Sequence, residues 1–268
     1  LIELNTIHLG DCLDLLSKIE DKSVNLLFTD PVYVTALADL YKSWNSRNMD
    51  WLFYAEEFNR ILKDNGQVAL FSDFPTAVAI ANGLQEYFRF RFYWTWIKSN
   101  GQPVNSKQPI SNVELISVWA KKRTLTRDLT YNPIMEKGLP YRKKHRAGNK
   151  TRKKEKDYIT ESNGDRFPSQ ALYFPSKDNL PVVERTEHPT QKPLALCGYI
   201  IKTLSNEGDL ILDPFSGSGS IPIAAFRLKR FFLGIEKDPE YYRESVKRLE
   251  NETNQQRLFK LKNVVELC

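Results

Sequence analysis

Asp30-Pro31-Val32-Tyr33 puts an acid, a constrained carbonyl and an aromatic ring within one short turn. That set suits chemistry on an aromatic amino group. Such a nitrogen is a poor nucleophile, because its lone pair is delocalised into the ring. Asp30, at the C-terminal end of the apolar run Val24-Asn25-Leu26-Leu27-Phe28, can accept one amino hydrogen. The carbonyl of Pro31 can accept the other. Two acceptors draw the nitrogen toward tetrahedral geometry and expose its lone pair, which combines electrostatic stabilisation with orientation. Tyr33 can stack on a base that has left its duplex. Neither a covalent intermediate nor a metal is called for. The competing reading is a strand followed by a tight Asp-Pro turn.

A second motif, Asp213-Pro214-Phe215-Ser216-Gly217-Ser218-Gly219, follows the apolar run Leu210-Ile211-Leu212. Gly217 and Gly219 permit positive φ and let a ligand approach the backbone. The helix expected after Gly219 presents N–H groups to an anion. The next strand ends at Gly234-Ile235-Glu236, where an acid is placed to accept both hydroxyls of a ribose. A dinucleotide fingerprint has a third glycine where Pro222 stands here, and proline cannot give glycine's close helix–strand contact. This weakens the case for NAD. It suits S-adenosylmethionine, whose carboxylate takes the place of a pyrophosphate. A plain strand–turn–helix corner is the competing reading.

These motifs need a scaffold, and the first 120 residues alternate strand and helix patterns. Thr6–Leu9 reads as a strand and Cys12–Ile19 as an amphipathic helix. The next strand ends at Asp30. Trp51–Leu62 is helical and is stopped by Asn65-Gly66. Gln67–Phe71 is a strand, and a helix with Pro75 in its first turn runs to about Tyr87. Arg89–Ile97 and Val113–Ala120 are strands. After Ala120 the pattern breaks. Residues 121–187 hold many charges, prolines and glycines without helical period. The alternation then resumes: a helix at Pro193–Leu204, a strand at 209–213, a helix at 220–228, a strand at Arg230–Ile235 and a helix at Pro239–Leu249. The expected fold class is α/β, with a mostly parallel sheet covered on both faces and an insertion in one continuous domain.

Taken in order, the motifs resemble the β-group of amino DNA methyltransferases, in which the catalytic motif precedes the cofactor loop. Asp30-Pro31-Val32-Tyr33 corresponds to that family's Asp-Pro-Pro-Tyr, and Trp96-Ile97-Lys98-Ser99-Asn100 to its tryptophan–lysine–asparagine strand end. His188-Pro189-Thr190-Gln191-Lys192-Pro193 is a specific marker of the group. Asp213–Gly219 and Gly234-Ile235-Glu236 follow at the expected spacings. Tyr131-Asn132-Pro133 and Phe167-Pro168 are similar to phage and restriction-modification members. The resemblance implies a Rossmann-like fold with a seven-stranded sheet and circularly permuted motif order. It divides the chain into a catalytic half (1–120), an inserted target-recognition region (121–187) and a cofactor-binding half (188–268).

It also implies roles. Asp30, Pro31 and Tyr33 hold the target base. Asp213, Phe215, Gly217 and Gly219 wrap S-adenosylmethionine, and Glu236 takes its ribose. Asp11 faces the adenine amino group of the cofactor, with an N-cap as the competing reading. Thr190, Gln191 and Lys192 lie by the methionine end, and an exposed helix-start lysine competes for Lys192. The expected reaction is methylation of adenine N6 in specific duplex DNA. Cytosine-N4 is the nearest alternative, and Asp rather than Ser before the proline favours adenine. Methylation of a cytosine ring carbon is disfavoured, because no cysteine follows a proline in a loop. A protein-glutamine or small-molecule amino methyltransferase would place its glycine loop first and would have no use for a basic insertion. Val32 stands where the family has proline, which restores an N–H and loosens φ. A weakened enzyme, or an inert DNA-binding homologue, is the reading this departure leaves open.

Bulk properties agree. A 268-residue chain that is 41% apolar and 27% charged can bury one sizeable domain with an inserted module. The net charge of +6 fits an anionic partner. Arg142, Lys143, Lys144, Arg146, Lys150, Arg152, Lys153, Lys154 and Lys156 form a run opposed only by Glu155. Such runs are often solvated, but inside an insertion they suit DNA phosphates. If about six of them neutralise phosphates, log affinity falls with log salt at a slope near −5. They carry no sequence information themselves. Cys12, Cys197 and Cys268 are scattered, which favours a reducing compartment over a disulfide framework. No charged-then-apolar leader and no apolar run near a membrane span's ~20 residues occurs. The expected setting is the cytoplasm of a prokaryotic or phage-infected cell. A homodimer and a cognate restriction endonuclease are the further partners that the resemblance suggests.

Overall fold

The structure, a computed structural model, describes residues 2–34, 49–103, 106–145 and 157–265. It forms two compact units, 1–131 with 170–268, and Asn132–Ser169.

The main unit is built on β1 (Thr6–Leu9), β2 (Val24–Thr29), β3 (Leu62–Ser72), β4 (Phe88–Gln102), β5 (Ser111–Lys121), β10 (Ala171–Phe174), β11 (Leu210–Asp213) and β12 (Phe231–Glu236). They make one sheet in the order β1-β12-β11-β2-β3-β5-β4-β10. Among the described strands of this sheet only β5 runs antiparallel to its neighbours. The sheet thus has eight strands rather than the expected seven. The additional strand is β10, which pairs in parallel with Thr95–Lys98 of β4. It lies inside the region read as a break, because four residues with Leu172 alone buried leave no periodic signal. The separate unit is accordingly narrower than 121–187.

Alternation along the strands sends successive side chains to opposite faces. Leu27, Val68, Leu70, Leu212, Leu233 and Ile235 pack with α1 (Cys12–Leu16), α2 (Trp51–Ile61) and α3 (Phe74–Leu84). Their strand neighbours Leu26, Phe28, Ala69, Phe71, Ile211 and Phe232 pack on the other side with α4 (Leu194–Leu204) and α5 (Ser220–Arg227). Both helices after the second and third strands begin on an aspartate. Asp50 Oδ1 accepts from the N–H groups of Leu52 and Phe53, and Asp73 Oδ1 from that of Thr76. The last helix, α6, runs Pro239–Val265, well past Leu249, since no glycine or proline interrupts it. Helix α1 is shorter than expected, and its chain turns over at Lys18 and Ile19 through bonds to Leu15 and Leu16. Among the described residues no helix is long and apolar enough to cross a membrane.

The unit Asn132–Ser169 consists of two small antiparallel pairs, β6 (Glu136–Lys137) with β9 (Asp165–Arg166) and β7 (Tyr141–His145) with β8 (Tyr158–Ser162). The His145 ring stacks on Tyr158 at 4.6 Å, and the Arg166 guanidinium lies over Tyr141.

Candidate active site

β2 and β11 are parallel neighbours, paired at Leu26–Ile211 and Leu27–Leu212. Their carboxyl ends open on one edge of the sheet, and both motifs stand there. Asp30 follows the last residue of β2, and Asp213 ends β11. From this pair the chain steps to β12 on one side and to β3 on the other, which makes it a switch point of the kind where α/β sheets hold ligands. The motifs touch. The Thr29 hydroxyl donates to Asp213 Oδ1 at 2.6 Å, and the Phe215 N–H reaches the same oxygen at 3.3 Å. Burial pushes the Asp213 carboxyl up to about 7, against the pull of those two donors.

Asp30 sits in a closed circuit of charge. Lys192 Nζ donates to its Oδ2, and the Tyr33 hydroxyl lies 3.0 Å from its Oδ1. Glu114 faces both partners, with Oε2 at 2.9 Å from the Tyr33 hydroxyl and 3.4 Å from Lys192 Nζ. Lys98 closes on Glu114 Oε1 at 2.5 Å. The side chains of Lys192, Glu114 and Asp30 are 5%, 12% and 17% exposed, so this is a desolvated network. Lys192 Nζ also lies 5.0 Å from the centre of the Phe71 ring and 5.6 Å from that of Tyr33. Burial raises the Asp30 carboxyl, with Lys192 opposing. Glu114 is held low because Lys192 and Lys98 outweigh its own burial. Burial alone would lower Lys192, but the two carboxylates hold it above the ordinary lysine range. Burial and both carboxylates keep Tyr33 protonated. The turn after Tyr33 is pinned by the Val34 N–H, which donates to Thr76 Oγ1 at 2.9 Å. Pro31 is buried, and Val32 is half-buried without positive φ.

The glycine loop is the other half of the edge. Gly217 and Gly219 take φ of 47° and 74°. A Cβ on Gly217 would come within 2.7 Å of His188 Nε2, so conformation and packing both call for glycine there. His188 packs edge-on to Tyr241 at 4.4 Å, and burial pushes its imidazole down to about 3, leaving it neutral. Glu236 Oε2 accepts the Gly217 N–H at 2.6 Å and Oε1 the Asp238 N–H at 2.8 Å. Burial raises its carboxyl. Phe215 rests 5.9 Å from the Tyr54 ring.

The remaining predicted residues fall less evenly. Asp11 caps α1, accepting the Leu13 N–H at 3.0 Å, and pairs with Lys237 at 2.7 Å. Gln191 ties its own turn together, accepting the Thr186 N–H and donating to the Glu184 carbonyl. Thr190 is exposed beside it. Lys192 is no exposed helix-start lysine: it reaches back to the Asp30 end of the site. Arg142, Lys143 and Lys144 are exposed on β7, whereas Arg146, Lys150, Arg152, Lys153, Lys154 and Lys156 lie outside the described residues.

Several residues of this edge escaped the sequence reading. Glu114 sits near the start of β5, which reads as an interior strand. β5 is antiparallel to β3, so its beginning lies at the edge where β2 ends. An acid early in an otherwise apolar strand was the available signal. Arg248 of α6 also went unread, although its Nη1 donates to the Ser218 carbonyl at 2.9 Å and to Ser220 Oγ at 3.0 Å, bracing the loop.

A family model described as DNA methylase matches residues 24–247. The chain belongs to the N6/N4 DNA methylase family. It is an amino DNA methyltransferase, and S-adenosylmethionine is its methyl donor. This methylase is 30% identical to the Type II methyltransferase M2.DpnII of Streptococcus pneumoniae, over 91% of this chain and 90% of that one. It is 28% identical to the Type II methyltransferase M2.MboI of Moraxella bovis, over 90% and 86%. Among solved structures, the M1.HpyAVI–SAM complex matches with a TM-score of 0.61 at 26% identity, covering 91% of this chain and 98% of that one. The cytosine-N4-specific PvuII DNA methyltransferase matches in fold, with a TM-score of 0.63 at 17% identity over 92% and 89%.

Proposed function

We propose that this methylase modifies the N6 amino group of adenine at a specific site in duplex DNA. The reading rests on one observation above all: the Asp30 turn and the glycine loop share one sheet edge and are joined by the Thr29–Asp213 hydrogen bond. Asp30 accepts one amino hydrogen of the extruded base and the Pro31 carbonyl the other, while the Tyr33 ring stacks on it. An aspartate rather than a serine before the proline favours adenine over cytosine.

The residues at the β11–α5 corner fit S-adenosylmethionine, which supplies a methyl group on a sulfonium. Gly217 and Gly219 leave the backbone open to a ligand, and Phe215 offers an aromatic wall. The Glu236 carboxylate accepts the Gly217 and Asp238 N–H groups and has further lone pairs for ribose hydroxyls. Asp11, Thr190 and Gln191 complete the cofactor side, and Asp213 holds the corner in shape. Arg142, Lys143 and Lys144, with Arg146, Arg152, Lys153 and Lys154, meet phosphates, and the region 121–187 reads the target sequence. The Type II names of the relatives support a cytoplasmic restriction-modification setting with a partner endonuclease. A homodimer is part of the same reading.

The test is to incubate the protein with labelled cofactor and mixed-sequence DNA, then identify the methylated nucleoside. N6-Methyl-2′-deoxyadenosine is expected, and N4-methyl-2′-deoxycytidine would replace the adenine reading. DNA retention without label would mean an inert binder. Asp30→Ala should abolish transfer, a loss of at least ~1,000-fold, while cofactor affinity stays within a few-fold. Equal loss of both would remove the role given to Asp30.

A further inference from the structure

We propose that Glu114 is a positioning residue, which draws the Tyr33 hydrogen and part of the Lys192 charge away from Asp30 so that Asp30 Oδ1 remains free to receive a substrate amino hydrogen. The inference rests on the role given to Asp30 above.

The argument is one of counting hydrogens. The Tyr33 hydroxyl carries a single hydrogen, yet two carboxylate oxygens lie in reach, Asp30 Oδ1 at 3.0 Å and Glu114 Oε2 at 2.9 Å. It donates to one of them at a time. Lys192 likewise faces both acids, bonding Asp30 Oδ2 and standing 3.4 Å from Glu114 Oε2. Without Glu114, Asp30 would take the whole of both donors. A carboxylate loaded with a hydroxyl and an ammonium is a weak acceptor for the faintly acidic hydrogen of an amino group. With Glu114 present, the Tyr33 hydrogen has a second home, and Asp30 Oδ1 offers its lone pairs to the base. Lys98 on Glu114 Oε1, at 2.5 Å, keeps that second home ionised without touching Asp30. The same arrangement holds the Tyr33 hydroxyl between Asp30, after β2, and Glu114, near the start of β5.

Two acids and two lysines, Asp30, Glu114, Lys192 and Lys98, make the circuit neutral overall, and a neutral circuit is tolerable in a desolvated site. Among the described residues, the other titratable groups facing it are Tyr33 and, through space, Asp213, Cys197 and His188.

Glu114→Gln keeps the size and removes the charge, leaving only a weaker amide acceptor for the Tyr33 hydrogen. On our reading kcat for DNA methylation falls on the order of tenfold or more, the weight of one hydrogen bond in the transition state. KM for S-adenosylmethionine stays within about threefold, and the acid limb of the kcat–pH profile moves down by about half a unit or more, since Lys192 then acts on Asp30 alone. In a Tyr33→Phe background, where there is no hydrogen to share, the same substitution costs markedly less than in the native background. Unchanged kcat and pH profile would overturn the proposal. So would full additivity of the two substitutions, or a parallel loss of kcat, cofactor affinity and thermal midpoint. Asp30→Ala is run alongside. If it leaves transfer intact, the reading of Asp30 itself fails; if it abolishes transfer while Glu114→Gln is silent, only the present inference falls.

Discussion

Two ion pairs of similar geometry stand in very different surroundings. At the sheet edge, Lys192 and Asp30 pair with side chains 5% and 17% exposed. On the small unit, Arg142 and Glu161 pair at 2.8 Å with side chains 70% and 67% exposed. Desolvation makes the first pair interdependent, because removing either partner strands a charge away from water. Water and salt screen the second, so such a pair is worth about 0–1 kcal/mol. The difference separates two uses of charge. The edge uses it to hold the Asp30 carboxylate in one place. The hairpin β7–β8 keeps it exchangeable: Arg142 and Lys144 have cross-strand acids in Glu161 and Asp157, while Lys143 lies opposite Thr160. Trading an exposed acid for another anion costs little, which is what the phosphate-binding role proposed above for these residues requires.

The comparison breaks most visibly at Lys192. Lys192→Met should lower unfolding free energy by about 3–5 kcal/mol and cut transfer by at least ~100-fold, read by urea denaturation and by label incorporation. A loss of stability under 1 kcal/mol would mean that the edge pair is no more interdependent than the surface one.

Asp213 sharpens the same point through pH. Its folded carboxyl is raised to about 7, above the ordinary aspartate value, so the native state holds a proton that the unfolded chain releases. That contribution is fully present below about pH 4 and is lost as pH rises through about 7, with a slope of up to ~1.4 kcal/mol per pH unit. Asp213→Asn should flatten the stability–pH curve in this window. An unaltered slope would show that Asp213 is ionised in the folded protein.

A double-mutant cycle on Arg142 and Glu161 should return a coupling of less than about 1 kcal/mol, vanishing in high salt. A coupling above 2 kcal/mol would put the hairpin in the same class as the edge. The smallest change is expected from Val32→Pro. Its position already lacks positive φ, so turnover should be preserved or rise. A large drop would show that the turn is built around valine.

Much of this molecule was legible along the chain. The alternation of strands and helices marked the α/β class, because period-2 and 3.6-residue patterns record which side chains face a core. The two motifs announced themselves because each packs its chemistry into a few consecutive residues, and the glycines at 217 and 219 declare a backbone that side chains would forbid. Short elements were harder: β10 has four residues, too few for a pattern, and so the sheet gained an unread strand. What only the tertiary structure decided is who stands opposite whom. Lys192 reads as a residue of the cofactor marker, yet folding carries it across to Asp30. Glu114 looks like one acid in an apolar strand until the antiparallel run of β5 brings it to the edge where Asp30 stands. Thr29 is an ordinary strand end until parallel pairing sets its hydroxyl on Asp213. Local sequence encodes local geometry, whereas the charge state and orientation of Asp30 depend on residues that only sheet register makes into neighbours.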